Sequence, residues 1–183
     1  MLEAIDEAVS INSLIWLFLA AFMIHDFEEI ITVEGWMRRN YDQVSRIVPD
    51  RADRILKDFK DFSNITGSQF AVPVFFEFIL FIPFTYLAAE HRWMLLFTGF
   101  NTIMLIHVFT HVGQSIYLRR YTPGVVTAVL VTLPYSIYLF YRLLDAGLVY
   151  GSDLVWSIPV GAATVLPVVW IGHQCARRIA PNR

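Results

Sequence analysis

Apolar positions run in five long blocks along the chain, each of a length that crosses a bilayer core, which takes about 20 residues. The blocks predict helical spans at about 10–34, 68–89, 93–118, 122–144 and 153–176. Pro73, Pro83, Pro134, Pro159 and Pro167 fall inside them. Membrane helices accept proline where neighbours satisfy the freed carbonyls, so kinks are expected at these positions. Between the first two spans the period changes. Ile55, Leu56, Phe59 and Phe62 recur at three- and four-residue spacing, with Arg54, Lys57, Lys60 and Asp61 between them. With Pro49 suited to a first turn, this predicts a basic amphipathic helix over about 49–63, lying in the interface on anionic lipid.

Composition agrees with the pattern. Hydrophobic residues make up 56% of the chain and charged residues 16%, against about a quarter in soluble domains, and the mean hydropathy is +0.53. The fold class expected is all-α, a polytopic membrane helical bundle of five transmembrane helices forming one domain over residues 1–183. The only cysteine is Cys175, which excludes an intramolecular disulfide and Cys-rich metal sites. The acidic start, "MLEAIDEAVS", has no Lys or Arg. It lacks the positive region of a cleavable signal, so the first span is expected to be retained.

Charge placement sets the expected orientation. Twelve of the 14 Lys and Arg lie between spans one and two, in the turn at Arg119 and Arg120, or in the tail after span five. In a five-span chain those segments share one side, and the positive-inside rule makes it the cytoplasm. The N-terminus then lies outside.

The first span breaks the apolar pattern. Fourteen mostly apolar residues, Ile11 to Ile24, lead into His25, Asp26, Glu28 and Glu29, and apolar Ile30 and Ile31 follow. Ionisable residues inside spans are costly, and mark functional sites by default. Six stand out: His25, Glu28, Glu29, Glu77, His107 and His111. His25, Glu28 and Glu29 are spaced i, i+3 and i+4, so they share a helix face. Asp26 is turned off it by about 100°. His107 and His111 are an i, i+4 pair, the spacing by which a helix offers two imidazoles to one metal. Gln114 continues that stripe. Counted from the cytoplasmic ends of three spans that alternate in direction, all six lie roughly 8 to 16 Å deep at about 1.5 Å per residue. Three helices can therefore place them in one layer.

Burying such a layer without a cation is unfavourable, and a divalent metal removes that cost because imidazole and carboxylate are its ligands. Nitrogen and oxygen donors without thiolate suit zinc or iron, with manganese a third choice. Three carboxylates with three histidines exceed the needs of one tetrahedral zinc. Two ions are expected, as in carboxylate-bridged bundles, or one ion with a spare glutamate as base. A single intramembrane histidine or Glu77 alone reads as packing; the coincidence of six favours a metal. A proton or ion relay uses the same residue types. Asn101, Tyr135 and His173 are weaker candidates: a polar bridge between helices, a packing aromatic, and a residue facing headgroups.

"HDFEE" at His25–Glu29 resembles the signature of the HXXEE family of small bacterial membrane proteins. "ITGSQFAVPVFFE" resembles that family's entry into its second span. "NTIMLIHVFTHVGQSIYLRRYTPGVVTAVLVTLPYS" resembles its later block, with His107, His111, Gln114, Tyr121, Pro123, Gly124 and Pro134 in matching order. The resemblance covers about Ile24 to Ser136. It implies an uncharacterised bacterial membrane protein with a metal-dependent function, and groups His25, Glu28, Glu29, His107 and His111 as one set. It supplies no substrate.

The function expected is a membrane-embedded metalloenzyme acting on a lipid or other apolar substrate reached from the cytoplasmic half of the bilayer. His25, His107 and His111 are the expected ligands, with Glu29 and Glu77 completing the shell. Glu28 serves as base, bridge or neighbour, and Glu28 and Glu29 are the catalytic candidates. Metal-activated water or dinuclear oxidation is the chemistry. Membrane lipids are the expected partners, with no nucleic acid. A divalent-cation or proton transporter is the rival; its path would need polar residues throughout, and the outer half offers little beyond Thr98, Asn101 and Thr102. A structural protein stapled by metal is the third class.

Overall fold

The second apolar block starts at "ITGSQ", which carries its own helix-start signal. Thr66 Oγ1 accepts from the Gln69 N–H at 3.2 Å, and Gln69 Oε1 accepts from the Thr66 N–H at 3.2 Å. This reciprocal capping box satisfies two otherwise unpaired donors. The computed structural model describes residues 6–47 and 65–180. Among them five long helices run in order: α1 (Ile11–Ile47), α2 (Gly67–His91), α3 (Met94–Leu118), α4 (Val125–Asp145) and α5 (Gly151–Ile179). The expected amphipathic segment at 49–63 lies outside the described residues.

Helices α2 to α5 are long and apolar enough to cross a membrane, and the chain is an integral membrane protein. Helix α1 is not one of these four. Its apolar run is fourteen residues, Ile11 to Ile24, and charge follows at once. The helix also continues thirteen residues past the expected end at Glu34. Beyond it Trp36, Met37 and Val44 are buried against Ile65, with Leu118 packed beside them, and that packing carries the helix onward.

Prolines have unequal effects. Helices α2 and α5 run unbroken through Pro73, Pro83, Pro159 and Pro167. Helix α4 instead contains a five-residue π turn, Ala128–Thr132, just before Pro134. Proline has no N–H and crowds the carbonyl four residues back, here Leu130. Widening the preceding turn relieves the crowding, and the Leu133 N–H bonds to the Ala128 carbonyl, five residues back.

Helix α2 packs between α1 and α5, and α3 packs against α5 and α4. Phe81 of α2 sits at the centre, 5.1 Å from Phe18, 4.9 Å from Phe22 and 4.7 Å from Phe100 between ring centroids. Helices α3 and α5 approach at Gly99 and Gly161. A methyl on Gly161 would lie 2.8 Å from the Gly99 carbonyl carbon and oxygen. Small residues at such crossings let backbones come close enough to gain dispersion energy. Gly161→Ala is therefore expected to destabilise the bundle by about 1–3 kcal/mol, the usual cost of overpacking. Thermal unfolding in detergent measures it, and an unchanged midpoint would contradict the close crossing.

Candidate metal centre

Helix α1 supplies His25 and Glu29, four residues apart, and α3 supplies His107 and His111 at the same spacing. Each therefore presents two side chains on one face, and the two faces meet. One ligand-grade atom from each of the four lies within 4.8 Å of the others. The Nε2 atoms of His107 and His111 are 2.8 Å apart, and His111 Nε2 is 3.2 Å from Glu29 Oε1. Donors about 2.0–2.1 Å from a tetrahedral metal are separated by about 3.3 Å, so these spacings are close to those of a shared ion. Three imidazoles and one carboxylate also form a donor set that suits a divalent transition metal. His25, Glu29 and His111 are buried, while His107 is accessible. The four can hold a metal ion.

The link between α3 and α4 closes over this group. Trp36 Nε1 donates to the Tyr121 carbonyl at 2.7 Å, and the Arg120 guanidinium donates to Asn40 Oδ1. Both fasten the link to α1. Gly124 then passes directly over the site with φ +82°. A Cβ there would lie 2.8 Å from His111 Cε1 and 2.9 Å from Glu29 Cγ, so the backbone fits because the residue is glycine.

Glu28 has a different place from its neighbour. Its Oε2 accepts from the Thr127 N–H at 2.7 Å and from Thr127 Oγ1 at 2.6 Å. Its Oε1 accepts from the Tyr121 hydroxyl at 2.7 Å and the Val126 N–H at 3.4 Å. The carboxylate thus caps the start of α4, where unpaired N–H groups favour negative charge. Burial pushes the Tyr121 phenol above its usual range, which keeps it a neutral donor to Glu28. The sequence pattern grouped Glu28 with the ligands. Residues i and i+1 on a helix diverge by about 100°, so Glu29 turns to α3 while Glu28 turns to α4.

Beside the four-residue group is a cavity of about 350 Å³ between α1, α2, α3 and α5. Its walls are mainly apolar, with Phe22, Phe81, Phe100 and Met104 among them. The polar side chains reaching it are His25, Asp26, Glu29, Glu77, His107 and His173. Glu77 thus faces the site without joining the four. Asp26 is buried and its Oδ2 has no hydrogen-bond partner among the described residues. His173 reaches the cavity from near the end of α5, a role its sequence position did not reveal. Asn101 donates to the Phe97 carbonyl of its own helix at 2.8 Å, and Tyr135 donates to the Leu14 carbonyl at 3.3 Å. Neither they nor the exposed Gln114 line the cavity. Thr127 and Gly124 complete the surroundings of the site. Nothing local in the sequence signalled that Thr127 would meet His25 at 3.1 Å.

A family described as "Protein of unknown function with HXXEE motif" matches residues 16–139. The "Uncharacterized protein YrkK" of Bacillus subtilis (strain 168) is 22% identical over 165 residues, covering 90% of this chain and 96% of its own length. No solved structure matches the chain.

Proposed function

We propose, from the premise that the chain belongs to the HXXEE family, that it is a membrane-embedded metal-dependent enzyme acting on a lipid or other apolar substrate. One observation carries this: the His25, Glu29, His107 and His111 group is continuous with a cavity whose other walls are largely hydrocarbon. A structural staple has no need of such space, and catalytic pockets are commonly apolar with a few convergent polar groups. His25, Glu29, His107 and His111 hold one divalent ion, zinc or iron before manganese. It supplies Lewis acidity for hydrolysis or, as iron, redox chemistry. Asp26 and Glu77 face the same space and take or return a proton there; with a second ion they are its carboxylates. The aromatic floor of Phe22, Phe81 and Phe100 excludes water and receives the apolar part of the substrate. Glu28, with both oxygens engaged at α4, positions the site rather than reacting.

Helix α1 is the fifth span in this proposal. Leu17, Ile24, Phe27 and Ile31 are exposed along it at 47%, 48%, 52% and 77%, while His25, Asp26 and Glu29 point inward. An apolar outer stripe with charge turned inside suits a helix facing lipid. The placement of Lys and Arg supports an external N-terminus and a cytoplasmic C-terminus.

Elemental analysis of purified protein is expected to find at least one transition ion per chain. Stripping it with a chelator is expected to abolish turnover of lipid-like ester or desaturation substrates, and re-addition to restore it. Protein without metal overturns the proposal. Metal-dependent flux in proteoliposomes without turnover replaces it with a transporter.

A further inference from the structure

We infer that Thr127 and Glu28 fix the tautomer of His25, keeping its proton on Nδ1 and leaving Nε2 as the atom that faces the metal. The use of Nε2 rests on the metal-dependent reading above; the tautomer itself does not.

Backbone N–H groups can only donate, and those of Thr127 and Val126 are directed at the Glu28 carboxylate. Glu28 is therefore held as an acceptor at the start of α4. The Thr127 hydroxyl has one hydrogen and three neighbours: Glu28 Oε2 at 2.6 Å, His25 Nδ1 at 3.1 Å and the Gly124 carbonyl at 3.3 Å. The shortest contact, to a carboxylate oxygen, takes that hydrogen, because charge-assisted bonds are the stronger. The same oxygen can then only accept from His25, so Nδ1 must carry a proton. A neutral imidazole has one N–H, so Nε2 keeps its lone pair.

A similar device stands behind His107. Thr110 Oγ1 donates to the His107 carbonyl at 2.6 Å and lies 3.3 Å from His107 Nδ1. It too can only accept from the ring. His107 Nε2 is the nitrogen that meets His111. Groups that set the ring orientation and tautomer of a ligating histidine commonly contribute 10–100-fold to metal affinity. Thr127 and Glu28 are positioning residues of this kind. They also couple the link after α3 to the centre, since Tyr121 holds the other oxygen of Glu28.

Two measurements on the full-length protein in detergent test this. The ¹⁵N spectrum of histidine-labelled, metal-free protein, with His25 assigned by its loss in His25→Gln, is expected to show His25 protonated at Nδ1. Thr127→Ser keeps the hydroxyl and the tautomer, whereas Thr127→Val releases the ring to the Nε2–H form or a mixture. Zinc affinity by competition with a chromophoric chelator is expected to fall about 10–100-fold in Thr127→Val and Glu28→Gln, and to stay within about threefold in Thr127→Ser. Wild-type His25 protonated at Nε2 overturns the inference without any variant. So does a Thr127→Val protein with both the wild-type tautomer and the wild-type affinity. If zinc does not bind even the wild type, the metal reading fails, while the ¹⁵N spectrum still decides the tautomer.

Discussion

His111→Ala is expected to lose its bound metal at concentrations that saturate the wild type, with affinity reduced by at least about 100-fold, more than the loss of an outer partner causes. His111 is the centre of the group. Its Nε2 contacts both His107 Nε2 at 2.8 Å and Glu29 Oε1 at 3.2 Å. Truncation removes one donor and leaves the buried Glu29 carboxylate without its imidazole, so the remaining donors no longer enclose an ion. Elemental analysis after gel filtration reads the loss. Because His111 is buried, the variant must also be shown to be folded by its thermal transition. His107→Ala is the companion variant, since His107 is accessible and its removal disturbs less packing. Full metal occupancy in both folded variants would refute the four-residue site.

Gly124→Ala is the second large effect. The residue sits at φ +82°, a region that costs an alanine about 1–2 kcal/mol. The new methyl would meet His111 Cε1 at 2.8 Å and both Glu29 Cγ and Oε1 within 3.0 Å. Overpacking of this kind costs a further ~1–3 kcal/mol. The two side chains that must move are the pair at the heart of the site, so stability and metal affinity are expected to fall together. A drop in thermal midpoint on the order of 10 °C is expected. Gly113→Ala is the control: a methyl there meets nothing within 4 Å, and within a helix alanine is favoured over glycine by about 0.5–1 kcal/mol. Equal midpoints for the two variants would show that the link does not press on the site.

Much of the centre was legible because its elements are local. His107 and His111 share a face through i, i+4 spacing, and so do His25 and Glu29. That rule operates within one helix and needs no tertiary knowledge. Matching depth then suggested that the faces meet, and the structure brings these four together. Glu28 was harder to place. At three residues from His25 it also counts as a neighbour, but its carboxylate swings to the other edge of the face. What receives it there is the start of α4, almost a hundred residues away. His173 was missed for a similar reason: its position near the end of α5 suggested headgroups, but α5 leans against α2 and α3 and turns it into the cavity. The close passage of Gly172 over the Pro73 backbone is part of that packing.

The sequence alone determined that this is a helical membrane protein, where most helices begin and end, and which side chains carry donor chemistry on a common helical face. Hydrophobic run length and helical period are properties of neighbouring residues, so they are readable without a fold. Tertiary structure alone decided that α1 continues past Glu34, that the Glu28 carboxylate meets Thr127 at the start of α4, and that an apolar cavity adjoins the histidines. Each depends on which helix packs beside which, and on a turn at Gly124 that brings residues remote in the chain within hydrogen-bond distance.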